Sequence, residues 1–430
     1  MAHWTLRAGA YRGAWDRAEA PSFPRFDWRS AVTGDVARGS LTFDWQRRLS
    51  GGQVSGGAYA RLARTDISDG ARGLASLEQR QHDSAFGAAL QWSGASSFAG
   101  LPASHAFSAS FRGTGRDTRA GLADERDELR DLRRDRLDES VTSLAASTEL
   151  GLPGRVRVQA GTRLDLYRAN VQSDVLDRNG SVAAQILAPY LRVRAPALGG
   201  EAFLTLGRGV DARRTTALVD PRSGAAAARL DPAASMDTIE IGFRRRLPLG
   251  IETTVSMFRA RADEQVVFTG ENAITQFSRP MLRQGVQLAA RNDPLPWVTL
   301  DFEATSMRAR YADGGAEFVP GAAERTASAA ATVHPASDWT ASVMASYLGR
   351  RTGLEETTSL ASSIFLNARL TRSLSKNTRV TLDALNLLDQ RLTGVDYFSA
   401  ARLSGGGLAD GHLFTPAEPR GIRLQVRTTF

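Results

Sequence analysis

Cysteine is absent from this 430-residue chain, which excludes a disulfide framework and any thiolate metal site. Lysine is nearly absent: Lys376 is the single one, so arginine supplies the rest of the 54 basic residues. Long apolar runs are missing as well. No stretch approaches the roughly 18–20 apolar residues that a membrane-spanning helix needs. With a mean hydropathy of −0.26, a helical membrane protein is excluded. A transmembrane β-barrel is not, because only alternate residues of its strands face lipid. Aromatic content is low, at 7%. The five histidines (His3, His82, His105, His334, His412) are scattered without HExxH or paired spacing. Gly51-Gly52 and Gly405-Gly406-Gly407 lack the lysine that would complete a phosphate-binding loop. Glu355-Glu356 are paired acids in a polar stretch. They suit solvation first and a metal chelate second. No catalytic constellation emerges, and the chain reads as a non-enzyme without a cofactor.

The formal net charge is +8. A nucleic-acid binder clusters its basic residues on one face. Here arginines are spread along the chain and alternate with apolar residues, as at Arg155, Arg157, Arg163, Arg423 and Arg427. That pattern excludes nucleic acid as the expected partner.

What the chain does have is a period of two, the mark of strands with one apolar face. At the C-terminus Ile422, Leu424, Val426, Thr428 and Phe430 alternate with Arg423, Gln425, Arg427 and Thr429. In 155–167, Val156, Val158, Ala160, Thr162, Leu164 and Leu166 alternate with mostly polar residues. Similar runs fall at 41–48, 54–65, 251–261, 283–291, 339–348, 364–372 and 378–385. Several have the roughly 9–11 residues that a tilted strand needs to cross a bilayer.

Connections alternate in length. Short turns are expected at Leu49–Gln53, Gly151–Gly154, Pro196–Gly200, Leu247–Gly250, Asn292–Pro296, Pro335–Asp338 and Ser373–Asn377. Long polar stretches lie between them, at 66–82, 112–140, 168–182, 210–237, 262–281, 307–326, 349–363 and 386–421. Short periplasmic turns and long extracellular loops are the outer-membrane barrel pattern. The expected fold is an all-β, antiparallel transmembrane β-barrel of about 18 strands forming one domain over 1–430, with Thr5–Trp15 rising first. The charged segment Leu122–Glu139 reads as a solvated loop, a strand extension or a short helix. Gly224–Ala234 reads as a loop tip.

Several segments, in order, resemble the barrel of the TonB-dependent outer-membrane receptors. Arg283-Gln-Gly-Val-Gln-Leu-Ala-Ala-Arg followed by Asp293-Pro-Leu-Pro-Trp-Val-Thr-Leu-Asp is similar to the family's RGVEL strand and PLPW turn. Pro320-Gly-Ala-Ala-Glu-Arg resembles its PGAP loop, and Asn386-Leu-Leu-Asp its NLFD motif. Pro416-Ala-Glu-Pro-Arg-Gly-Ile-Arg-Leu opens the last strand as in those receptors. Upstream, Gly207-Arg-Gly-Val-Asp-Ala-Arg is similar to their GRGF segment, and Ala10-Tyr-Arg-Gly-Ala-Trp-Asp to an early strand. Most of these motifs also have a scaffold explanation. Prolines suit a tight turn, Trp297 suits an interfacial girdle, and Asn386 and the Asp of its motif can bond nearby backbone at a strand exit.

The resemblance implies residence in the bacterial outer membrane and uptake of a scarce, bulky ligand. A ferric siderophore or other metal chelate is the default. It implies outer-membrane lipid, the barrel-assembly machinery and the TonB complex as partners, the last only through a plug domain. Arg208, Asp211 and Arg213 are the candidate ligand contacts, because arginine forks suit carboxylate-bearing or phosphate-bearing ligands. Phe430 resembles the C-terminal aromatic read during barrel assembly, or else anchors the barrel rim. The family barrel has 22 strands. The start at Met1-Ala-His-Trp therefore reads as a mature fragment or a late-starting reading frame, in which the family's plug, leader and about four N-terminal strands are missing. The alternative is a plug-less passive channel or a non-functional truncated receptor fragment. A soluble secreted β-protein is a third reading.

Overall fold

Inward-facing and outward-facing residues alternate along eighteen long strands, each hydrogen-bonded to the next. The computed structural model describes residues 2–19, 30–71, 76–123, 129–174, 179–211, 234–263, 266–269, 274–277, 279–313, 318–319, 321–352, 359–390, 393–402, 408–416 and 419–428. The first strands are β1 (Ala2–Glu19), β2 (Ser30–Leu49), β3 (Gly52–Ala71), β4 (Ser76–Phe98), β5 (Leu101–Ala123) and β6 (Leu129–Gly151). They continue with β7 (Arg157–Ser173), β8 (Gly180–Ala197), β9 (Gly200–Asp211), β10 (Ala234–Arg246) and β11 (Glu252–Ala262). A short hairpin, β12 (Val266–Thr269) with β13 (Ile274–Phe277), rises from the next connection. Then follow β14 (Met281–Leu295), β15 (Val298–Tyr311), β16 (Arg325–Ala336) and β17 (Trp339–Leu348), the hairpin β18 (Arg351–Thr352) with β19 (Ser359–Leu360), and β20 (Ser363–Ser373) and β21 (Thr378–Leu385). The hairpin β22 (Thr393–Arg402) with β23 (Leu408–Pro416) precedes β24 (Gly421–Thr428).

Leaving out the three loop hairpins, each strand pairs antiparallel with its successor from β1 to β24. The sheet has 18 strands, the number expected from the sequence. All seven expected turns are present. An eighth, Ala99-Gly100 between Phe98 and Leu101, was not anticipated. It and Leu198-Gly199 are two-residue hairpin turns with both central residues at positive φ: 49° and 78°, and 47° and 74°. That geometry matches the right-handed twist of the flanking strands.

The strands of the N-terminal third run further than expected. β4, β5 and β6 have 23 residues each. At about 3.3 Å per residue and a tilt near 40°, each rises on the order of 55 Å, well beyond a 30 Å hydrocarbon core. The stretches 66–82 and 112–140, read as loops, are therefore mostly strand. Leu129–Glu139 extends β6, and the helix reading of that segment is corrected. Its polar residues are strand residues standing above the lipid. Most of the loop-tip segment 224–234 lies outside the described residues.

The outward face shows where lipid ends. On β7 it reads Val158, Ala160, Thr162, Leu164, Leu166, and then Arg168, Asn170 and Gln172. The nine residues from Val158 to Leu166 span about 23 Å along the membrane normal, close to the apolar band of such barrels. Adjacent strands change character at neighbouring heights, with Leu62 giving way to Arg64 on β3 and Leu206 to Arg208 on β9. Glycines opposite aromatic rings allow close cross-strand packing. Tyr59 lies over Gly87 and Tyr190 over Gly161, where a Cβ would sit 2.7 and 2.6 Å from ring carbons.

Candidate functional site

The inward face is the place for a ligand path, and it is lined by ion pairs built across neighbouring strands. Asp383 of β21 accepts from Arg369 Nε of β20 at 2.6 Å and from Arg423 Nε of β24 at 3.3 Å. Its side chain is 3% exposed. The register dictates this trio: Arg369 and Arg423 are the direct partners of Asp383 on either side. Elsewhere on the wall, Glu139 of β6 accepts from Arg112 of β5 and from the Tyr167 hydroxyl of β7, both at 3.1 Å. Arg116 of β5 pairs with Asp83 of β4 at 2.7 Å, and Arg163 with Asp165 on β7 at 2.7 Å. Arginine forks recur on this face because a fixed planar donor array can serve a carboxylate and still keep free N–H groups.

Burial along the inward face is graded. On β7, Arg157 and Arg163 are exposed, whereas Asp165, Tyr167, Ala169 and Val171 are buried. The same trend runs to Ala262 on β11, Met281 on β14, Ala309 on β15 and Ser363 on β20, all at the end opposite the short turns. Val141, Tyr167, Ala169 and Ile186 form a small apolar cluster there. Inward side chains are thus more closely packed at the long-loop end of these strands than at the short-turn end. At the long-loop end Arg283, on β14, faces inward, and its buried Nε has no hydrogen-bond partner among the described residues. Long connections brace one another nearby, with Gly321 N–H donating to the Thr352 carbonyl at 2.7 Å.

Of the candidate contacts read from the sequence, Arg208 shares the parity of Leu204 and Leu206 and belongs to the outward face. It donates Nε and Nη2 to the two carboxylate oxygens of Asp237, at 2.7 and 3.0 Å. This pair marks the upper border of the apolar band. Asp211 is the last residue of β9, while Arg213 and Phe430 lie outside the described residues, as do Glu355 and Glu356. Sequence reasoning missed Arg283 and the Asp383 trio. Alternation gave their face, but the cross-strand register that gathers them is non-local.

An eighteen-strand antiparallel meander with alternating short and long connections, an outward apolar band and a polar inward face has the architecture of a transmembrane β-barrel. Among solved structures it is similar to the ferric-catecholate import receptor Fiu from E. coli K12, with a TM-score of 0.75 at 11% identity, covering 99% of this chain and 72% of that one. The siderophore receptor PiuA from Acinetobacter baumannii gives 0.74 at 12% identity, covering 99% and 72%. The ferric yersiniabactin uptake receptor FyuA from Yersinia pestis gives 0.72 at 11%, covering 99% and 68%. At these identities the likeness establishes the fold. No family model and no curated protein sequence matches the chain.

Proposed function

We propose that this chain is the barrel of a TonB-dependent receptor in the bacterial outer membrane, serving uptake of a scarce, bulky ferric siderophore. The observation that carries the reading is the shared architecture. Nearly the whole chain superposes on receptors for ferric-catecholate, ferric yersiniabactin and other siderophores. The arginine-rich inward face suits an anionic chelate, and Arg283, whose buried Nε has no partner among the described residues, is the proposed contact at the long-loop end. Asp211, at the end of β9, and Arg213, outside the described residues, are proposed to contribute as well, and Arg208, facing outward, leaves that set. Energy would come from the TonB complex acting on a plug inside the barrel. The barrel-assembly machinery would insert the chain, reading Phe430.

The test is binding to the detergent-purified full chain, followed by tryptophan fluorescence, with a ferric catecholate, ferric citrate and ferric yersiniabactin as probes. At least one should bind at micromolar concentration or tighter, and Arg283→Gln should weaken it about tenfold, the value of one charge-assisted hydrogen bond. Recovery of the protein without detergent, or no saturable binding of any of the three, would overturn the reading. Ohmic conductance in planar bilayers without chelate binding would assign a passive channel instead.

A further inference from the structure

Basic residues scattered along the sequence gather in space, because the fold brings every short turn to one edge of the wall. The eight short turns with their flanking residues, at 47–53, 98–101, 149–157, 192–201, 244–252, 291–297, 334–339 and 372–379, hold thirteen arginines and lysines against five carboxylates. That excess of eight equals the net charge of the whole chain, so the rest of the sequence is balanced. Some of these cations are neutralised locally. Arg157 and Arg194, direct partners across β7 and β8, share Glu149 at 3.6 and 2.5 Å. Four others, Arg48, Arg155, Arg245 and Lys376, are exposed and form no ion pair among the described residues.

Local structure holds these four at the edge. Arg48 precedes the turn between β2 and β3, and Arg155 ends the turn Pro153–Arg155 at φ 61°. Lys376 sits in a turn fixed by Ser375, whose hydroxyl accepts the N–H groups of Asn377 and Thr378 at 3.2 and 3.0 Å. The Thr253 hydroxyl donates to the Arg245 carbonyl at 3.0 Å, and the Arg245 guanidinium lies beside the neighbouring turn at Gly199. Trp4, Trp45, Trp92 and Trp339 share the outward face at this end. As an interfacial girdle they set the membrane border, which leaves the turns in water.

We infer that the short-turn edge docks on the cell-wall layer beneath the outer membrane, a peptide-crosslinked glycan whose stem peptides carry free carboxylates. The inference rests on the membrane placement proposed above and concerns a face that ligand uptake does not use. Three features select this partner. The four cations belong to four different turns, so the complementary surface is extended and flat. The turns are a few residues long and form no cleft for a folded partner. Arg48 has inward parity, and Arg155 and Lys376 stand in the turns themselves, so headgroups of the surrounding lipid reach chiefly Arg245. One exposed ion pair contributes little, but repeated carboxylates on one polymer engage spaced cations together.

The experiment is co-sedimentation of the full chain, in detergent, with purified cell-wall sacculi. Sacculi whose carboxylates have been amidated serve as the control. Sedimentation with native sacculi is expected to exceed that with amidated ones at least tenfold, and to fall about tenfold between roughly 50 and 500 mM salt. The combined variant Arg48→Gln, Arg155→Gln, Arg245→Gln and Lys376→Gln should abolish the difference. Arg259→Gln, Arg261→Gln, Arg308→Gln and Arg310→Gln together remove the same charge near the long loops and should leave it intact. If the first variant does not fold, Arg155→Gln with Lys376→Gln should still reduce sedimentation about threefold. Equal sedimentation with amidated sacculi, none with native sacculi, or the same loss in both fourfold variants would overturn the inference. Release of the chain from sacculi by mixed micelles containing phosphatidylglycerol would also overturn it, and would assign the edge to lipid headgroups. A chain that stays soluble without detergent would instead overturn the membrane placement beneath it.

Discussion

The backbone N–H of Asn386 donates to Oδ1 of Asn367 at 2.8 Å, fastening the exit of β21 to the neighbouring strand β20. The Asn386 side chain then completes a closed exchange with Gln390, accepting its N–H and donating to its carbonyl, both at 3.0 Å. Asn386 is 3% exposed and sits at φ 46°, a left-handed conformation that asparagine tolerates better than most residues. Asn386→Ala should therefore lose two side-chain hydrogen bonds and keep the strain. Destabilisation of about 2–4 kcal/mol is expected. It would appear as a lower urea midpoint for loss of the heat-modifiable folded band on gels. An unchanged midpoint would show that the exit needs no such fastening.

Asp383 holds two arginines with one buried carboxylate. Removing it leaves Arg369 and Arg423 facing each other across its strand. Both guanidinium groups are more than half exposed, so solvent softens the loss. Asp383→Ala is expected to cost about 1–3 kcal/mol, and Arg423→Ala less, because Arg369 still neutralises the carboxylate. A urea series comparing the two variants checks this order, and the reverse order would argue against the trio as a unit.

Leu198 is 86% exposed in a tight turn at φ 47°, where its Cβ works against the backbone. It has little packing to lose. Leu198→Asn should stabilise the β8–β9 hairpin by up to about 1 kcal/mol, since asparagine accepts the left-handed region. Faster refolding into detergent or a raised urea midpoint would register the gain. A loss would reveal a contact of Leu198 with the membrane surface.

Leu206 and Arg208 lie on one face of β9, two residues apart, on opposite sides of the apolar border. Leu206→Arg should cost about 2 kcal/mol, within the depth-dependent range for a charge on the lipid face. Arg208→Leu should cost far less, because it leaves only Asp237 unpaired near water. Folding efficiency into lipid vesicles separates the two. Equal penalties would place both residues at the same depth.

Much of this architecture was legible in the sequence. Strands whose outward face meets lipid, such as β7 and β24, announce themselves by alternation, and proline and glycine mark their short turns. Segments above the lipid lose that signal because both faces are polar. Arg116, Asp117 and Arg119 looked like a loop although they continue β5. The interior was less legible still. Asp383 meets Arg423 only after forty residues of chain have turned back, and nothing local to either predicts the meeting. The outward placement of Arg208 was readable from its parity with Leu204 and Leu206, but the motif around it drew attention toward ligand chemistry.

Pairing each strand with its successor has a consequence for how the wall is made. Most cross-strand partners lie within a few dozen residues of one another, so each new hairpin can be laid against the one before without a distant segment being held waiting. Such local ordering keeps the entropy of joining small at every step. It also means that an error of register in one hairpin would be inherited by every strand added after it. The fixed geometry of Ala99-Gly100 and Leu198-Gly199, set once at the narrow bends, is then what keeps the whole wall in step.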